Sequence, residues 1–262
     1  MTFQIISDNL LKSFDKKIKA SVKKCFQELD SGEFTVDDFK NYMLAGAVAS
    51  SQIEGSTLDL NSFYQSKQNK TNKKEVKEIE NLLTAFQYAK RYRLTQKGLL
   101  KSHEILAATF TNITKSQKGK YRKTMVGIRG WSGLVYLAIE PQFVQQEMDK
   151  LFEDIDQLLK QKLTLKESLY YASYIHFVFA KIHPFADGNG RAARLLEKWF
   201  LAEVLGDGVW GIPSEKYYYD NRQDYYNSLN VGVNYYETME RLNKVLPFLI
   251  LLPNAVCYKP VD

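Results

Sequence analysis

Apolar residues recur at helical spacing along most of the chain. Leu10, Leu11, Phe14, Ile18, Val22 and Phe26 predict one helix over 9–29. Thr35, with Asp38 three residues on, predicts a capped start for a second helix. Its apolar face is Phe39, Met43 and Ala47, and Gly55 is its stop. From Glu75 onward, Val76, Ile79, Leu82, Leu83, Phe86 and Ala89 form an amphipathic pattern. Further helices are predicted over 97–110, from Pro141 through Leu159, from Leu165 to Ala180, and from Arg191 to Leu205 with Gly206 as the stop. The segments 215–236 and 238–252 also read as helical, with Pro247 kinking or splitting the second.

One stretch departs from this period. Residues 121–139, YRKTMVGIRGWSGLVYLAI, are rich in β-branched and aromatic side chains, and Gly130 to Gly133 marks a turn between two short extended runs. The expectation is a single β-hairpin in an all-α domain. A lone hairpin on a helical scaffold is suited to covering a site.

Composition narrows the picture. The 262 residues are 45% apolar and 25% charged, and only 14 are glycine and 6 proline, which argues against disorder and against a hairpin-dense β fold. The formal charge of +6 leaves two readings open, a basic solvated surface or an acidic partner such as nucleic acid, a membrane surface or a nucleotide. The strongest basic run, Lys67 to Lys77, holds no aromatic residue to stack a base, and reads as an exposed loop leading into a helix. Cys25 and Cys257 make no disulfide framework and lack CxxC spacing. The N-terminal stretch has no signal-peptide pattern, and the most apolar run, Leu246 to Pro253, is too short for a bilayer. The default expectation is a cytoplasmic protein with no membrane partner.

The candidate chemistry lies in His183-Pro184-Phe185-Ala186-Asp187-Gly188-Asn189-Gly190-Arg191-Ala192-Ala193-Arg194. Pro184 forces His183 out of helical geometry, so the preceding helix ends there. Gly188 and Gly190 leave backbone freedom and no side chain in the way of a ligand. The loop then feeds a helix N-terminus, whose free N–H groups and dipole favour an anion. Arg191 and Arg194 lie three residues apart on the first turn, where both can reach a phosphate chain. Asp187 offers a hard oxygen ligand suited to Mg²⁺. His183 is a base that titrates near neutrality. Each feature alone is common; the ordered set outlines a nucleotide-transfer site.

The string HPFADGNGRAAR fills every fixed position of the pattern HxFx(D/E)GNGRxxR, and on it the chain resembles the Fic (Fido) family of protein adenylyltransferases. The resemblance spans roughly 35–250. It takes in the helix of Tyr174, Ile175, His176 and Phe179, the hairpin as the family's flap, and His103 as an upstream structural histidine. Asn221, Arg222, Tyr225, Tyr226 and Leu229 resemble the segment lining the nucleotide base. The resemblance implies a Fic-fold helical domain over 35–252 with a flap at 121–139, an N-terminal helical segment over 1–34 and a tail over 253–262. It implies ATP as substrate with Mg²⁺ or Mn²⁺. His183 would deprotonate a target hydroxyl, and Asp187 would hold the metal. Gly188, Asn189, Gly190, Arg191 and Arg194 would bind the phosphates, and Tyr225 and Tyr226 the base. Val126, Gly127, Ile128 and Arg129 would present backbone to a target protein segment.

Ser50-Ser51-Gln52-Ile53-Glu54-Gly55 ends the second predicted helix, with Ser50 and Glu54 on one face. A carboxylate in a last turn is disfavoured by the helix dipole, so Glu54 calls for a cationic partner or for water. The string resembles the family's inhibitory motif (S/T)xxxE(G/N). That implies an inhibitory helix over 35–55 whose Glu54 pairs with Arg194. Three alternatives stand beside AMP transfer: a Fic-fold enzyme moving another phosphate-containing group or removing AMP, a non-catalytic nucleotide sensor, and nucleic-acid binding through 67–77, for which there is no motif. The target protein, self-modification and homo-oligomer formation are left open by the sequence.

Overall fold

The computed structural model of the chain describes residues 3–30, 35–130 and 133–260. The first apolar stretch folds as two short helices, α1 (Leu11–Lys17) and α2 (Ser21–Asp30), where one was expected. Ile18 leaves helical geometry with ψ 130°, which lets Phe14 on α1 and Val22 and Phe26 on α2 each turn into the core.

Thr35 caps α3 (Val36–Ile53) in both directions: its hydroxyl accepts from the Asp38 N–H at 3.2 Å, and its own N–H donates to the Asp38 carboxylate at 2.9 Å. The helix stops at Glu54 because Gly55 follows with φ 99°, a conformation glycine adopts without strain. Asp59 caps α4 (Leu60–Asn69) in the same way. Lys67 therefore lies in the last turn of α4, and the expected basic loop shrinks to residues 70–72 before α5 (Lys73–Arg91). Then come α6 (Gln96–Leu106) and the hairpin strands β1 (Gly127–Gly130) and β2 (Gly133–Leu137).

The hairpin is antiparallel, with Gly127 opposite Leu137 and Ile128 opposite Tyr136, and a bulge between Ile128 and Arg129. The expected turn falls partly on 131–132, outside the described residues. Pro141 opens a 3₁₀ turn that runs into α7 (Val144–Leu159), followed by α8 (Leu165–Ile182) and α9 (Asn189–Leu205). Five short helices complete the chain: α10 (Ser214–Asp220), α11 (Arg222–Leu229), α12 (Tyr235–Glu240), α13 (Leu246–Leu249) and α14 (Leu251–Val256). Pro247 falls in the first turn of α13, where a missing N–H costs nothing.

Helices α8 and α9 form the centre. From Ser168 to Ile182, every α8 residue except Ala180 is buried, so this helix is covered on all sides. Helix α9 is buried from Arg191 to Leu201. Helices α3, α5, α6 and α7 pack around this pair, and α10 packs against α3. The core thus holds both ends of the loop between α8 and α9 on rigid elements.

The cysteines correct the expectation of an unlinked pair. Cys25 on α2 and Cys257 just after α14 form a disulfide, with Cα atoms 5.3 Å apart. Their 232-residue separation hid this, because only the packing of α14 on α2 brings them together. Pro253, Ala255 and Val256 are buried with that helix, ahead of the final residues. Among the described residues no helix is long and apolar enough to cross a membrane.

Candidate active site

His183 closes α8 in the left-handed region, at φ 53° and ψ 59°. A β-carbon makes that conformation costly, and Pro184 disfavours continuation of the helix, so the surrounding contacts must hold it there. Its Nδ1 lies 3.2 Å from the Ala180 carbonyl, which can only accept. The proton therefore sits on Nδ1, and Nε2 is left with its lone pair. Burial pushes the His183 pKa down to about 4, the Arg122 charge works in the same direction, and the ring is neutral at physiological pH.

The loop after His183 is braced internally. Asn189 accepts from the Phe185 N–H and donates to the Phe185 carbonyl, both at 2.8 Å. Its side chain is thereby spent on the loop, and what it offers a ligand is backbone. Phe185 is buried and stacks on His103 with ring centroids 3.6 Å apart. His103 Nδ1 accepts from the Gly119 N–H at 2.9 Å, so its Nε2 carries the proton and donates to the Asp187 carbonyl at 2.9 Å. Burial holds the His103 pKa near 4. The Asp187 carboxylate accepts from Asn112 Nδ2 at 2.7 Å and from the Gly188 N–H at 2.6 Å. Each oxygen keeps a free lone-pair direction.

Helix α9 begins at Asn189, two residues earlier than expected, after Gly188 in the left-handed region at φ 81°. On its first turns the two arginines take different partners. Arg191 lies over the Phe110 ring at 4.1 Å and reaches Glu78 at 3.3 Å; its buried Nε has no hydrogen-bond partner among the described residues. Arg194 is 1% exposed. Its Nε donates to Ser50 Oγ at 2.8 Å, and its Nη2 to the Ser50 carbonyl at 3.1 Å and to Glu54 Oε1 at 2.7 Å. Burial weighs against the Arg194 charge, but Tyr225 and Glu54 outweigh it and the pKa is raised. A Cβ on Gly190 would overlap Glu54 Oε1 and stand 3.2 Å from Arg194 Nη1. Glycine at 190 is what lets an anionic group reach this arginine.

The hairpin stands on the loop between α8 and α9 through Arg122, which is 3% exposed and bonded only to carbonyls. Its Nε donates to the His183 carbonyl at 2.8 Å, Nη1 to Thr124 at 2.9 Å before β1, and Nη2 to Ile139 at 2.5 Å after β2. The outer edge of β2 is covered by a parallel bridge from Leu137 to Asn234, with the Leu137 N–H on the Val233 carbonyl at 2.9 Å. The outer edge of β1, from Gly127 to Arg129, carries no such bridge among the described residues.

The Fic/DOC family profile matches residues 93–201, which hold α6, the hairpin, α7, α8, the loop and most of α9. Residues 93–201 therefore resemble a Fic/DOC domain. Over 114 residues, 44% of this chain, it is 30% identical to a protein adenylyltransferase Fic of Nematostella vectensis, of which it covers 23%. It is 28% identical over 191 residues to a protein adenylyltransferase Fic of Culex quinquefasciatus, covering 69% of this chain and 35% of that protein. The chain thus spans well under half the length of these curated relatives. In fold, it matches a Fic family protein from Desulfovibrio desulfuricans with TM-score 0.75 at 22% identity, over 98% of this chain and 75% of that one. A Fic domain-containing protein from Bacteroides thetaiotaomicron gives 0.70 at 20% identity, over 91% and 93%.

Within this Fic-like domain, His183, Asp187, Gly188, Gly190, Arg191 and Arg194 converge on one loop and one helix start. Ser50 and Glu54 reach the same arginine from α3. Tyr225 is 2% exposed and sits behind Arg194, while Tyr226 is half exposed and donates to the Ile53 carbonyl at 3.1 Å. Sequence reasoning missed Asn112 and Arg122. Neither belongs to a spaced pattern, and each finds its partner only through the tertiary fold. Among the described residues no group of three or more histidine, cysteine or acidic side chains could hold a metal by itself. Asp187 fits Mg²⁺ as one hard ligand whose remaining partners would be phosphate oxygens.

Proposed function

We propose that this chain transfers AMP from ATP to a hydroxyl of a protein and that α3 holds the reaction off. The observation that carries the transfer reading is the neutral His183, with Nε2 unprotonated, beside a glycine-bounded helix start bearing two arginines. His183 Nε2 takes the proton of a serine, threonine or tyrosine hydroxyl. The oxygen attacks the α-phosphorus, the bond from that phosphorus to the bridging oxygen of the β-phosphate breaks, and pyrophosphate leaves. The α9 N-terminal amides, the orphaned Arg191 Nε and Arg194 take the phosphate charge. Asp187 would hold Mg²⁺, which neutralises charge on the α- and β-phosphates when bound. The catalytic unit is 35–252, with the target strand added along Val126–Arg129, the open side of the hairpin.

Glu54 supports the inhibition reading. Its carboxylate occupies Arg194 at 2.7 Å, where a γ-phosphate would otherwise compete for the same cation. A charge-assisted bond of this kind contributes about 1.5–3 kcal/mol, or roughly one to two orders of magnitude in occupancy. A cavity of about 510 Å³ opens between the end of α3 and the start of α5, with Glu54 and Arg191 in its wall, so the carboxylate can swing aside without unpacking the core.

The test of the reaction is mass addition. The Glu54→Gly protein, alone or with a lysate, is incubated with ATP and Mg²⁺, and modified peptides are read by mass spectrometry. An AMP adduct that vanishes in His183→Ala and in excess EDTA is expected. An adduct of UMP, phosphocholine or phosphate would instead favour another cargo on the same fold.

A further inference from the structure

A buried chain of hydrogen bonds runs from Arg194 away from the active site, and its polarity can be read bond by bond. Arg194 Nη1 donates to the Tyr225 hydroxyl at 3.4 Å. The Tyr225 hydroxyl lies 3.0 Å from His176 Nε2, and His176 Nδ1 lies 2.8 Å from Glu197 Oε2. A carboxylate oxygen accepts, so Nδ1 carries the His176 proton, and in the neutral imidazole Nε2 is an acceptor. Tyr225 must then donate to His176 while accepting from Arg194. The order Arg194 to Tyr225 to His176 to Glu197 is fixed, with a cation at one end and a carboxylate at the other. None of the four is more than 2% exposed. Tyr218 donates to both Glu197 oxygens, at 2.9 and 3.0 Å, and stacks on Tyr225. The transfer chemistry proposed above uses only Arg194 of this set.

A buried guanidinium needs compensation whichever anion faces it. Glu54 supplies that in the present arrangement, but the proposed reaction requires Glu54 to leave. Ser50 Oγ and the Ser50 carbonyl are on the same helix as Glu54 and offer no countercharge. Glu197 does, through two intervening side chains whose order makes each bond strengthen the next. Its residues sit on α8, α9 and α11, none of which carries the inhibitory glutamate.

We propose that Tyr225, His176 and Glu197 are positioning residues that hold the Arg194 guanidinium aimed at the γ-phosphate once Glu54 has withdrawn. They make the site favour a nucleoside triphosphate over a diphosphate. Burial pushes the Tyr225 phenol well up, in keeping with a hydroxyl that stays protonated as a donor. The proposal rests on the reading of Arg194 as the γ-phosphate ligand.

The experiment uses the whole chain carrying Glu54→Gly and measures equilibrium affinity for ATP and for ADP, each with Mg²⁺. Three variants are added singly to that background: Arg194→Ala, Tyr225→Phe and Glu197→Gln. Thermal melts check that each folds. Tyr225→Phe removes one link, whereas Glu197→Gln keeps the shape and removes the charge, so one serves if the other fails to fold. The expected result is a loss of about tenfold in ATP affinity with little change for ADP, for both relay variants. Equal losses for ATP and ADP would overturn the proposal, since a residue that merely supports the fold or lines the base pocket affects both nucleotides. Unchanged affinities would overturn it as well. If Arg194→Ala itself leaves the preference for ATP intact, the γ-phosphate reading falls first and the relay with it. If Arg194→Ala abolishes the preference and the relay variants do not, only the relay falls.

Discussion

At the scale of single residues, the site is made of side chains fixed in one protonation state. His183 has one ring nitrogen bonded to the backbone and His103 has both, and burial holds each pKa near 4. Two consequences follow. A base that stays neutral to about pH 4 should give a transfer rate with no acid limb above that value. An acid limb near the ordinary histidine pKa, measured at saturating ATP, would contradict the assignment of His183. Stability should behave differently. The unfolded chain protonates its histidines from about pH 6.5 downward, while the native chain protonates these two only near 4. The unfolded state binds more protons across that window, so stability is full above about pH 6.5 and falls as pH drops towards 4. His103→Gln should flatten part of that fall in urea melts at pH 7 and pH 5. Some residue-scale facts were legible beforehand. Pro184 marks the end of α8, Gly188 and Gly190 mark backbone approach, and Asp187 is the carboxylate beside them. Asn112 was not legible, because its bond to Asp187 joins residues 75 apart in sequence and no neighbour of Asn112 signals it.

At the scale of elements, two connections set what can move. Arg122 ties the His183 carbonyl to both feet of the hairpin with one planar cation. A lysine has the charge but not the fork, so Arg122→Lys leaves carbonyls unpaired and loosens the hairpin relative to the loop. The expected outcome is at least about a tenfold fall in kcat/KM for a protein target with ATP affinity unchanged. Parallel losses in both would make Arg122 a general support of the fold. The second connection is α3, joined to α9 through Ser50, Glu54 and Arg194. Its start was readable in the Thr35 and Asp38 spacing and its stop in Gly55, since capping and positive φ are local matters. The break at Ile18 was not, because the apolar spacing of α1 and α2 is continuous and only packing splits it. The basic run also misled. Lys67 reads as loop by composition, yet Asp59 starts a helix that carries through Asn69. The relay through His176 crosses three helices and leaves no periodic trace.

At the scale of the whole molecule, the described residues form a buried α8–α9 centre, with the N-terminal helices and α14 joined by the Cys25–Cys257 disulfide. The closed loop includes nearly the whole chain, and a cross-link of that kind typically contributes about 2–4 kcal/mol. Cys25→Ser should therefore lower the melting temperature while leaving transfer by the folded enzyme unchanged. Loss of activity without loss of stability would mean that the link does more than restrain the chain. Across these scales, the proposed chemistry and its proposed control meet at one residue: the buried Arg194 holds the Glu54 carboxylate and, in the proposed reaction, would hold the γ-phosphate. The most direct measurement is incorporation of label from ATP, marked at the α-phosphate, into the protein itself at equal ATP concentrations by wild type, Glu54→Gly and Glu54→Gln. The account predicts little label in wild type and about ten to a hundred times more in Glu54→Gly. Glu54→Gln should fall between them, since it keeps the bulk and removes the charge. Equal labelling of wild type and Glu54→Gly, or no labelling of either while His183 and Asp187 are intact and ATP is bound, would contradict it.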